Sequence, residues 1–373
     1  MSFSLWVMLG ALGVFIADAA RLTPVQKAWL VAIPILGGSA LRLPVGRLAD
    51  RVGAKRVGLV LLAWLFLPLA MAWLGPARLP WMVVVGLALG AGGASFAVAL
   101  PLASRWYPPQ RQGLAMGIAA AGNSGTVITN LLAPRLAAHV GWQGVFGLAM
   151  IPLALVLAGF ALLARESPGP LRRPARGSGL HREPDAWAFC LFYAVTFGGY
   201  VGLGSFLPLF LHDQYRLAPA AAGTVTALAA LAGSAARPVG GWLADRVGGG
   251  RLLLALLLAI AGLYGAASTL PSLPAMQGLL VVAMACLGMG NGAVFQLVPL
   301  RFGERIGEAT GLVGALGGLG GFLVPMMLGA TRQWAGSFGT GFAALGTAAA
   351  AAGVLLVALT LFQERWRGLV RGA

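Results

Sequence analysis

The chain has 373 residues, 59% of them hydrophobic and 10% charged, with a formal net charge of +16. In soluble domains about half of the residues are apolar and about a quarter are charged, so this composition excludes a soluble globular protein. The apolar runs last about 17 to 25 residues, the length that an α-helix needs to cross a bilayer, whereas barrel strands would alternate over about ten. We therefore predict an all-α membrane protein embedded in a lipid bilayer.

Twelve apolar runs are predicted as membrane-spanning helices and are numbered as spans in chain order. Their boundaries are 2–19, 26–47, 57–75, 80–104, 112–136, 142–164, 186–211, 219–243, 251–270, 274–299, 308–330 and 338–362. The stretch 165–185 between spans six and seven carries four prolines and five arginines, which is typical of an extended linker. We interpret it as a cytoplasmic linker that joins an N-terminal half, residues 1–164, to a C-terminal half, residues 186–373.

The basic residues are distributed unevenly over the two faces of this predicted bundle. Of the 26, 18 fall in loops on one face, six on the other, and two, Arg42 and Arg237, inside spans. An excess of lysine and arginine marks cytoplasmic loops, so both termini are predicted to lie in the cytoplasm. Because topology accounts for the positive charge, no nucleic-acid partner is expected.

The two halves contain an internal repeat. At an offset of 195, residues 46–53 match residues 241–248 at every position but one. A second repeat, at an offset of 198, aligns Pro101, Gly113 and Gly122 with Pro299, Gly311 and Gly320. Six spans separate the copies, and because six is even both halves have the same orientation. Parallel six-helix repeats are the major facilitator architecture, which carries its substrate site near the midplane between the halves.

The repeated octapeptide falls in the predicted loops after spans two and eight. Its pattern, G-x-L-A-D-R-V-G, resembles a signature of the major facilitator superfamily. We predict that Asp50 with Arg51, and Asp245 with Arg246, form a cytoplasmic latch, meaning charge contacts that break as the two halves move. The alternative is a solvated loop whose charges cap helix ends.

One arginine precedes each of these loops by two to three helical turns. At about 1.5 Å per residue, Arg42 and Arg237 lie about 12 Å inside the membrane edge. This depth is too great for the usual snorkelling to the interface. An arginine at membrane depth costs about 3 kcal/mol on insertion scales, and such residues mark functional sites.

The acidic residues decide between a structural salt bridge and a ligand site. All ten lie at span ends or in loops, so the sequence offers no carboxylate at the depth of the arginines. Two guanidinium groups that face one cavity repel each other until an anion binds, and their planar forks match delocalised oxyanions. We therefore predict a small oxyanion as the substrate.

Glycines cluster in spans five and eleven. The members that we expect to serve packing or gating are Gly122, Gly125, Gly317, Gly318, Gly320 and Gly321. Small residues let helices approach closely, although each glycine costs a helix in water about 1 kcal/mol relative to alanine. Asn123 lies within the first cluster, where its amide could donate to an anion.

Longer motifs indicate one family within this superfamily. Residues 92–108 read G-G-A-S-F-A-V-A-L-P-L-A-S-R-W-Y-P and, with 113–125, resemble the nitrate signature of the nitrate/nitrite porter family of the major facilitator superfamily. Residues 311–321 are similar to that family's second signature, and residues 290–299 are similar to its tenth span. The resemblance covers essentially the whole chain.

This resemblance implies substrate contact for six residues: Arg42, Arg237, Asn123, Tyr193, Phe96 and Phe197. The arginines match the family's two substrate-binding arginines, and the asparagine matches the one in its first signature. The tyrosine and the phenylalanine four residues later match a pattern of span seven, which implies a hydroxyl donor and a cavity wall. The phenylalanine of span four matches another wall residue. For both phenylalanines, a core or lipid-facing position is the alternative.

These features predict a secondary transporter of nitrate, nitrite or both that works by alternating access. In this hypothesis the anion cancels the repulsion between Arg42 and Arg237, so only the loaded carrier reorients, which gives nitrate/nitrite exchange. Proton-coupled nitrate symport stays open, because a water chain or a span-end acid could carry a proton. A major facilitator exporter of another small anion is a further alternative, and no enzyme is expected.

The remaining features predict no cofactor and no metal. Cys190 and Cys286 lie in apolar runs without a spacing partner and are interpreted as core residues. Trp6 is one of six tryptophans near span ends, which we interpret as interface anchors. The arginine-rich, lysine-poor composition suggests a prokaryotic cytoplasmic membrane, and the family resemblance implies a monomer.

Overall fold

The computed structural model describes residues 1–104, 106, 121–166, 179–302, 305–364, 366 and 368. By length and composition, ten helices in this part of the chain could cross a membrane. The longest of them contains two spans that meet at Gly141, and the short N-terminal helices add one more. The predicted all-α fold of twelve spans in two six-helix repeats is confirmed.

The first repeat contains spans one to six. Span one consists of three short helices, Ser2–Trp6, Met8–Ala11 and Gly13–Ala20. Spans two, three and four comprise Pro24–Val52, then Ala54–Trp64 with Phe66–Leu74, then Leu79–Ala94 with Phe96–Ser104. A 3-10 turn, Ala121–Ser124, leads into Gly125–Leu163, where Gly141 separates spans five and six with a φ of 71°. The predicted start of span five, residues 112–120, lies outside the described residues.

The second repeat contains spans seven to twelve. Span seven consists of the helix Pro184–Tyr193, the π-helix Ala194–Gly198 and the helix Gly199–Tyr215. Spans eight to twelve are Pro219–Val247, Gly249–Ser268, Leu273–Phe302, Ile306–Trp334 and Gly339–Phe362. A short 3-10 turn, Leu180–Arg182, lies just before span seven.

The repeated octapeptide corrects one prediction. Residues 46–52 and 241–247 continue the helices of spans two and eight instead of forming loops. The helices end only at Gly53, with a φ of 108°, and at Gly248, with a φ of 90°. Because residues with a side chain are strained at such angles, the final glycine of the signature is what ends each helix.

The sequence repeat is visible elsewhere in the backbone. Arg21 and Arg216, also 195 positions apart, both adopt the left-handed conformation, with φ of 51° and 57°. They follow the last helices of spans one and seven. Spans one and seven therefore end in the same way, as spans two and eight do.

The described chain forms two compact units. The first comprises Met1–Leu22, Trp29–Ser178 and Ser205–Ala227, and the second comprises Thr23–Ala28, Gly179–Gly204 and Leu228–Ala373. Within the first unit Gly223 packs on the carbonyl of Asn130, and within the second Gly329 packs on Ala28. The predicted division at 165–185 stays a prediction, because residues 167–178 lie outside the described residues.

Candidate functional site

Arg42 lies where spans two and four cross in the first unit. A Cβ on Gly90 would lie 2.6 Å from the carbonyl carbon of Gly37, so the two backbones are in direct contact. The arginine is only 7% exposed, and its Nε donates to the carbonyl of Gly93 at 3.4 Å. Its guanidinium carbon lies 5.9 Å from the ring centre of Trp6. A carbonyl and an aromatic face thus both contact the buried cation.

Trp6 is not the interface anchor that its position near a span end suggested. It is 2% exposed, and its Nε1 donates to the carbonyl of Pro34 at 2.7 Å. The indole packs directly on Gly93, and a Cβ on Gly38 would lie 3.1 Å from Nε1. The sequence prediction failed because burial of the indole depends on glycines in two other spans.

Phe96 belongs to the same aromatic group. It begins the second helix of span four and is half-buried. Its ring meets Phe3 edge to face at 5.9 Å, and Phe3 meets Trp6 edge to face at 5.1 Å. The aromatic contacts therefore run from Arg42 to Phe96 without a gap, while the role of Phe96 as a cavity wall stays a prediction.

Asn123 lies in the 3-10 turn that precedes span five. Its side chain is buried, and no donor among the described residues reaches its Oδ1. Gly125 packs beside it on Ser4, whose Oγ donates to the Gly125 carbonyl at 3.0 Å. No described atom lies within 4 Å of a Cβ built on Gly122, so a packing role for that glycine stays a prediction. Residues 105, 107–108 and 113–120 of the first signature lie outside the described residues.

Arg237 occupies the equivalent position of span eight, in the second unit. It is half-buried, and its guanidinium carbon lies 5.8 Å from the ring centre of Phe295 in span ten. Gly292 packs on the carbonyl of Arg237, which brings spans eight and ten into backbone contact. One turn earlier, the hydroxyls of Ser234 and Tyr200 form a hydrogen bond of 2.8 Å that joins spans seven and eight.

Tyr193 and Phe197 stack on each other in span seven. Their ring centres are 4.9 Å apart and their planes differ by 1°. Phe295 meets Tyr193 edge to face at 4.9 Å, so it joins this stack to Arg237. Phe197 is 2% exposed, which rules out the lipid-facing alternative for this residue. The sequence did not single out Phe295, although it lies in the stretch 290–299 that resembles the family's tenth span.

The glycines of span eleven pack on the same part of span seven. Gly317 lies against the Tyr193 ring with no room for a Cβ. A Cβ on Gly320 would lie 2.5 Å from the carbonyl oxygen of Ala194, and one on Gly198 would lie 2.7 Å from the nitrogen of Gly321. Gly318, which lies between Gly317 and Gly320 in the sequence, is buried. Gly317, Gly320 and Gly321 therefore lie beside the start and the end of the π-helix, and a gating role for the glycines of span eleven stays a prediction.

The predicted cytoplasmic latch also stays a prediction. Asp50 and Arg51 lie in the last turn of span two, as Asp245 and Arg246 do in span eight. The guanidinium of Arg246 lies 3.9 Å from the ring centre of Trp242, one turn earlier.

A different ionic cluster, which the sequence did not indicate, joins the ends of three elements in the second unit. Asp185 at the start of span seven is 6% exposed and accepts from Arg301 Nε at 2.6 Å and from Trp366 Nε1 at 3.0 Å. Glu183 pairs with Arg301 at 3.6 Å and also with Arg305. The cluster fastens the start of span seven to the end of span ten and to the segment after span twelve.

Twelve spans in two parallel six-helix repeats are typical of secondary transporters that work by alternating access. The comparison with protein families agrees. The model described as "Major Facilitator Superfamily" matches residues 1–325, and the chain belongs to this superfamily.

Two curated relatives indicate which family within the superfamily this chain is similar to. The chain is 35% identical over 376 residues to the "Nitrite extrusion protein" of Bacillus subtilis (strain 168), an alignment that covers 98% of this chain and 92% of that protein. It is 33% identical to the "Probable nitrate/nitrite antiporter NarK1" of Thermus thermophilus, covering 90% of this chain and 83% of that one. The predicted resemblance to the nitrate/nitrite porter family is confirmed by these relatives.

Among solved structures, the fold is similar to that of a bacterial homolog of the human lysosomal transporter Spinster in an inward-facing and unoccupied conformation. The TM-score is 0.73 at 20% identity, and the match covers 99% of this chain and 94% of that one. At this level of identity the likeness supports the fold alone.

Proposed function

We propose that this protein is a secondary transporter that exchanges nitrate and nitrite by alternating access. The observation that carries the proposal is the pair of arginines at equivalent positions of spans two and eight, each beside an aromatic ring. The printed names of the relatives, a nitrite extrusion protein and a nitrate/nitrite antiporter, point to the same anions.

The chemistry of the surrounding residues fits a planar monovalent anion. Arg42 and Arg237 supply the positive charge, and their planar guanidinium groups can donate two parallel hydrogen bonds to neighbouring oxygens of the anion. Asn123 and Tyr193 add neutral donors, and Phe96 and Phe197 supply apolar walls. Neutral donors orient the anion, while the two cations select for negative charge.

Exchange follows from the charge balance of this site. With the anion bound, the repulsion between the two cations is cancelled, so the loaded carrier reorients and the empty one does not. The sequence offers no carboxylate at the depth of the arginines that could replace the anion or carry a proton. An obligatory anion in both directions is what defines an exchanger.

We further propose that the carrier works as a monomer in a prokaryotic cytoplasmic membrane with both termini in the cytoplasm. The orientation rests on the 18 basic residues in the loops of one face. In this orientation the signature residues Asp50, Arg51, Asp245 and Arg246 are cytoplasmic, where they would act as the latch.

Counterflow in proteoliposomes tests the proposal. Vesicles loaded with nitrite should take up labelled nitrate, and Arg42→Lys or Arg237→Lys should slow the initial rate at least about tenfold, because an ammonium cannot make the bidentate contact. Arg216→Lys is the matched control, since Arg216 is exposed at the end of span seven. Normal transport by either of the first two variants would refute the two-arginine site.

A further inference from the structure

We infer that Trp6 is a positioning residue for Arg42, which holds the guanidinium in the orientation that binds the anion. The inference rests on the proposed function, because it concerns the same anion site. It assigns to span one a task that its sequence does not reveal.

The indole of Trp6 is fixed by a hydrogen bond. Its Nε1 donates to the carbonyl of Pro34 at 2.7 Å, in a buried position within span two. Nε1–H is the only donor of a tryptophan side chain, so this bond selects one orientation of the ring. The Pro34 carbonyl and Arg42 belong to the same helix, so the hydrogen bond fixes the position of the indole relative to the helix that carries the cation.

Glycines of two other spans provide the space for the indole. Gly93 packs on the six-membered ring, and a Cβ on Gly38 would lie 3.1 Å from Nε1. A Cβ on Gly92 would lie 3.4 Å from the Cβ of Trp6 and 2.7 Å from the carbonyl of Ser2. The glycine pair that begins the first signature motif therefore accommodates Trp6, beyond allowing two helices to cross.

Gly93 also contacts the arginine directly. Its carbonyl accepts from Arg42 Nε at 3.4 Å, and its missing side chain leaves the room for the indole that lies 5.9 Å from the guanidinium carbon. The carbonyl restrains the Nε edge of the guanidinium, and the face of the indole lies on one side of the guanidinium carbon. Together the two contacts restrain where the cation lies and where its Nε points.

In the second unit, the aromatic ring beside the arginine is not held by a hydrogen bond of its own. Arg237 lies against Phe295, a side chain without a polar atom, so no hydrogen bond fixes that ring. The difference between the surroundings of Arg42 and Arg237 predicts how Trp6→Phe changes the affinity for nitrate. Trp6→Phe would keep an aromatic face but lose the bond to Pro34. Its KM for nitrate should therefore lie between those of the wild type and Trp6→Leu.

The test measures the KM and maximal rate of nitrate counterflow, together with thermal unfolding with and without nitrate. Trp6→Leu should raise the KM about tenfold, within the range of a desolvated cation–π contact, and should reduce nitrate-induced thermal stabilisation. Trp6→Phe should restore part of the affinity. Trp142→Leu is the matched control, because Trp142 is also buried but packs edge to face on Phe146 in span six.

A merely structural role for Trp6 would give a different pattern. It would lower the unfolding temperature of Trp6→Leu and Trp142→Leu alike and leave the KM of both unchanged, which would overturn the inference. If Trp6→Leu does not fold, Trp6→Phe decides, because it keeps an aromatic ring, loses the bond to Pro34 and should still raise the KM. A wild-type protein that neither exchanges nor is stabilised by nitrate would instead refute the proposed function, and the inference with it.

Discussion

At the residue scale, the two arginines differ in how they are surrounded. Arg42 is buried, bonded to a backbone carbonyl and placed on a hydrogen-bonded indole, whereas Arg237 is half-buried beside Phe295. An aromatic contact contributes about 0.5 to 2 kcal/mol, and hydrogen bonds to charged groups contribute about 1.5 to 3 kcal/mol each. An anion with several such bonds would therefore stabilise the guanidinium more than the ring does.

Tyr193→Phe isolates the contribution of one neutral donor. The variant keeps the stack on Phe197 and the edge contact with Phe295, and it removes only the hydroxyl. Because a hydrogen bond to a charged partner contributes about 1.5 kcal/mol or more, the KM for nitrate should rise about tenfold. The ring contacts persist, and the rise in unfolding temperature that nitrate causes, measured within each variant, should be smaller than in the wild type.

The matched control for this variant is Tyr215→Phe, at the end of span seven, where the ring meets Phe210 edge to face. Its nitrate kinetics should equal those of the wild type. An unchanged KM in Tyr193→Phe would remove the tyrosine hydroxyl from the site and leave its ring as packing only.

At the element scale, the sequence predicted the existence of the spans better than their ends. Span two was predicted as 26–47 and comprises Pro24–Val52. Hydrophobicity reports only the part of a helix that lies in hydrocarbon, whereas the helix continues until a residue such as Gly53 breaks it. The π-helix Ala194–Gly198 packs on Gly320 and Gly321 of span eleven, and hydrophobic spacing along one span predicts neither that contact nor the extra residue in the turn.

The glycines of span eleven allow a test of packing against span seven. Gly317→Ala would place a methyl group against the Tyr193 ring, and such overpacking destabilises a protein by about 1 to 3 kcal/mol. Thermal unfolding should occur at a lower temperature, and the KM for nitrate should rise because the tyrosine ring is displaced. Both quantities are measured on the same preparation.

Gly262→Ala in span nine is the control. Gly262 is exposed, and no described atom lies within 4 Å of its Cβ position. Alanine is the better helix former, by about 1 kcal/mol in water, so this variant should be neutral or slightly stabilised. Equal destabilisation by both substitutions would contradict the contact between Gly317 and Tyr193.

The ionic cluster at the start of span seven allows a test of stability. Arg301→Ala would leave the buried carboxylate of Asp185 without its closest cation, and breaking a buried pair costs about 3 to 5 kcal/mol. Thermal unfolding should shift strongly downward. The double variant Asp185→Asn with Arg301→Gln removes both charges and should be less destabilised than Arg301→Ala alone.

The control for the cluster is Arg332→Ala, whose half-buried guanidinium donates to the carbonyl of Gly336 and lies 5.2 Å from the ring centre of Phe338. An exposed cation–π contact contributes about 0.5 to 1 kcal/mol, and the substitution leaves no buried charge without a partner, so this variant should be destabilised less than Arg301→Ala. If the double variant unfolded at a lower temperature than the single one, the penalty would not come from the uncompensated charge of Asp185.

At the scale of the whole molecule, the repeat holds for the backbone of spans two and eight and fails for the side chains around their arginines. Gly53 and Gly248 end equivalent helices, and Arg42 and Arg237 occupy equivalent positions in them. Their aromatic partners, however, come from span one in the first unit and from span ten in the second. The sequence could therefore predict the arginines, which repeat, but could not predict Trp6 and Phe295 as their neighbours, because spacing does not say which spans pack together.

Exchange also has a consequence for the energetics of the whole carrier. Nitrate and nitrite carry the same charge, so a one-for-one exchange moves no net charge across the membrane. Moving one charge across a membrane potential of 100 mV changes the free energy by about 2.3 kcal/mol. An exchange that transfers no net charge is not affected by this potential. Counterflow of labelled nitrate against internal nitrite should therefore be insensitive to a potassium diffusion potential set with valinomycin.

A pH gradient then separates exchange from proton-coupled symport. In vesicles without internal anion substrate, an exchanger has nothing to return, so an acidic exterior should cause no nitrate accumulation. In nitrite-loaded vesicles, uptake should continue unchanged when a protonophore collapses the gradient. Accumulation of nitrate in substrate-free vesicles, driven by the pH gradient and abolished by the protonophore, would show that a proton accompanies the anion and that a group at a span end or a water chain carries it.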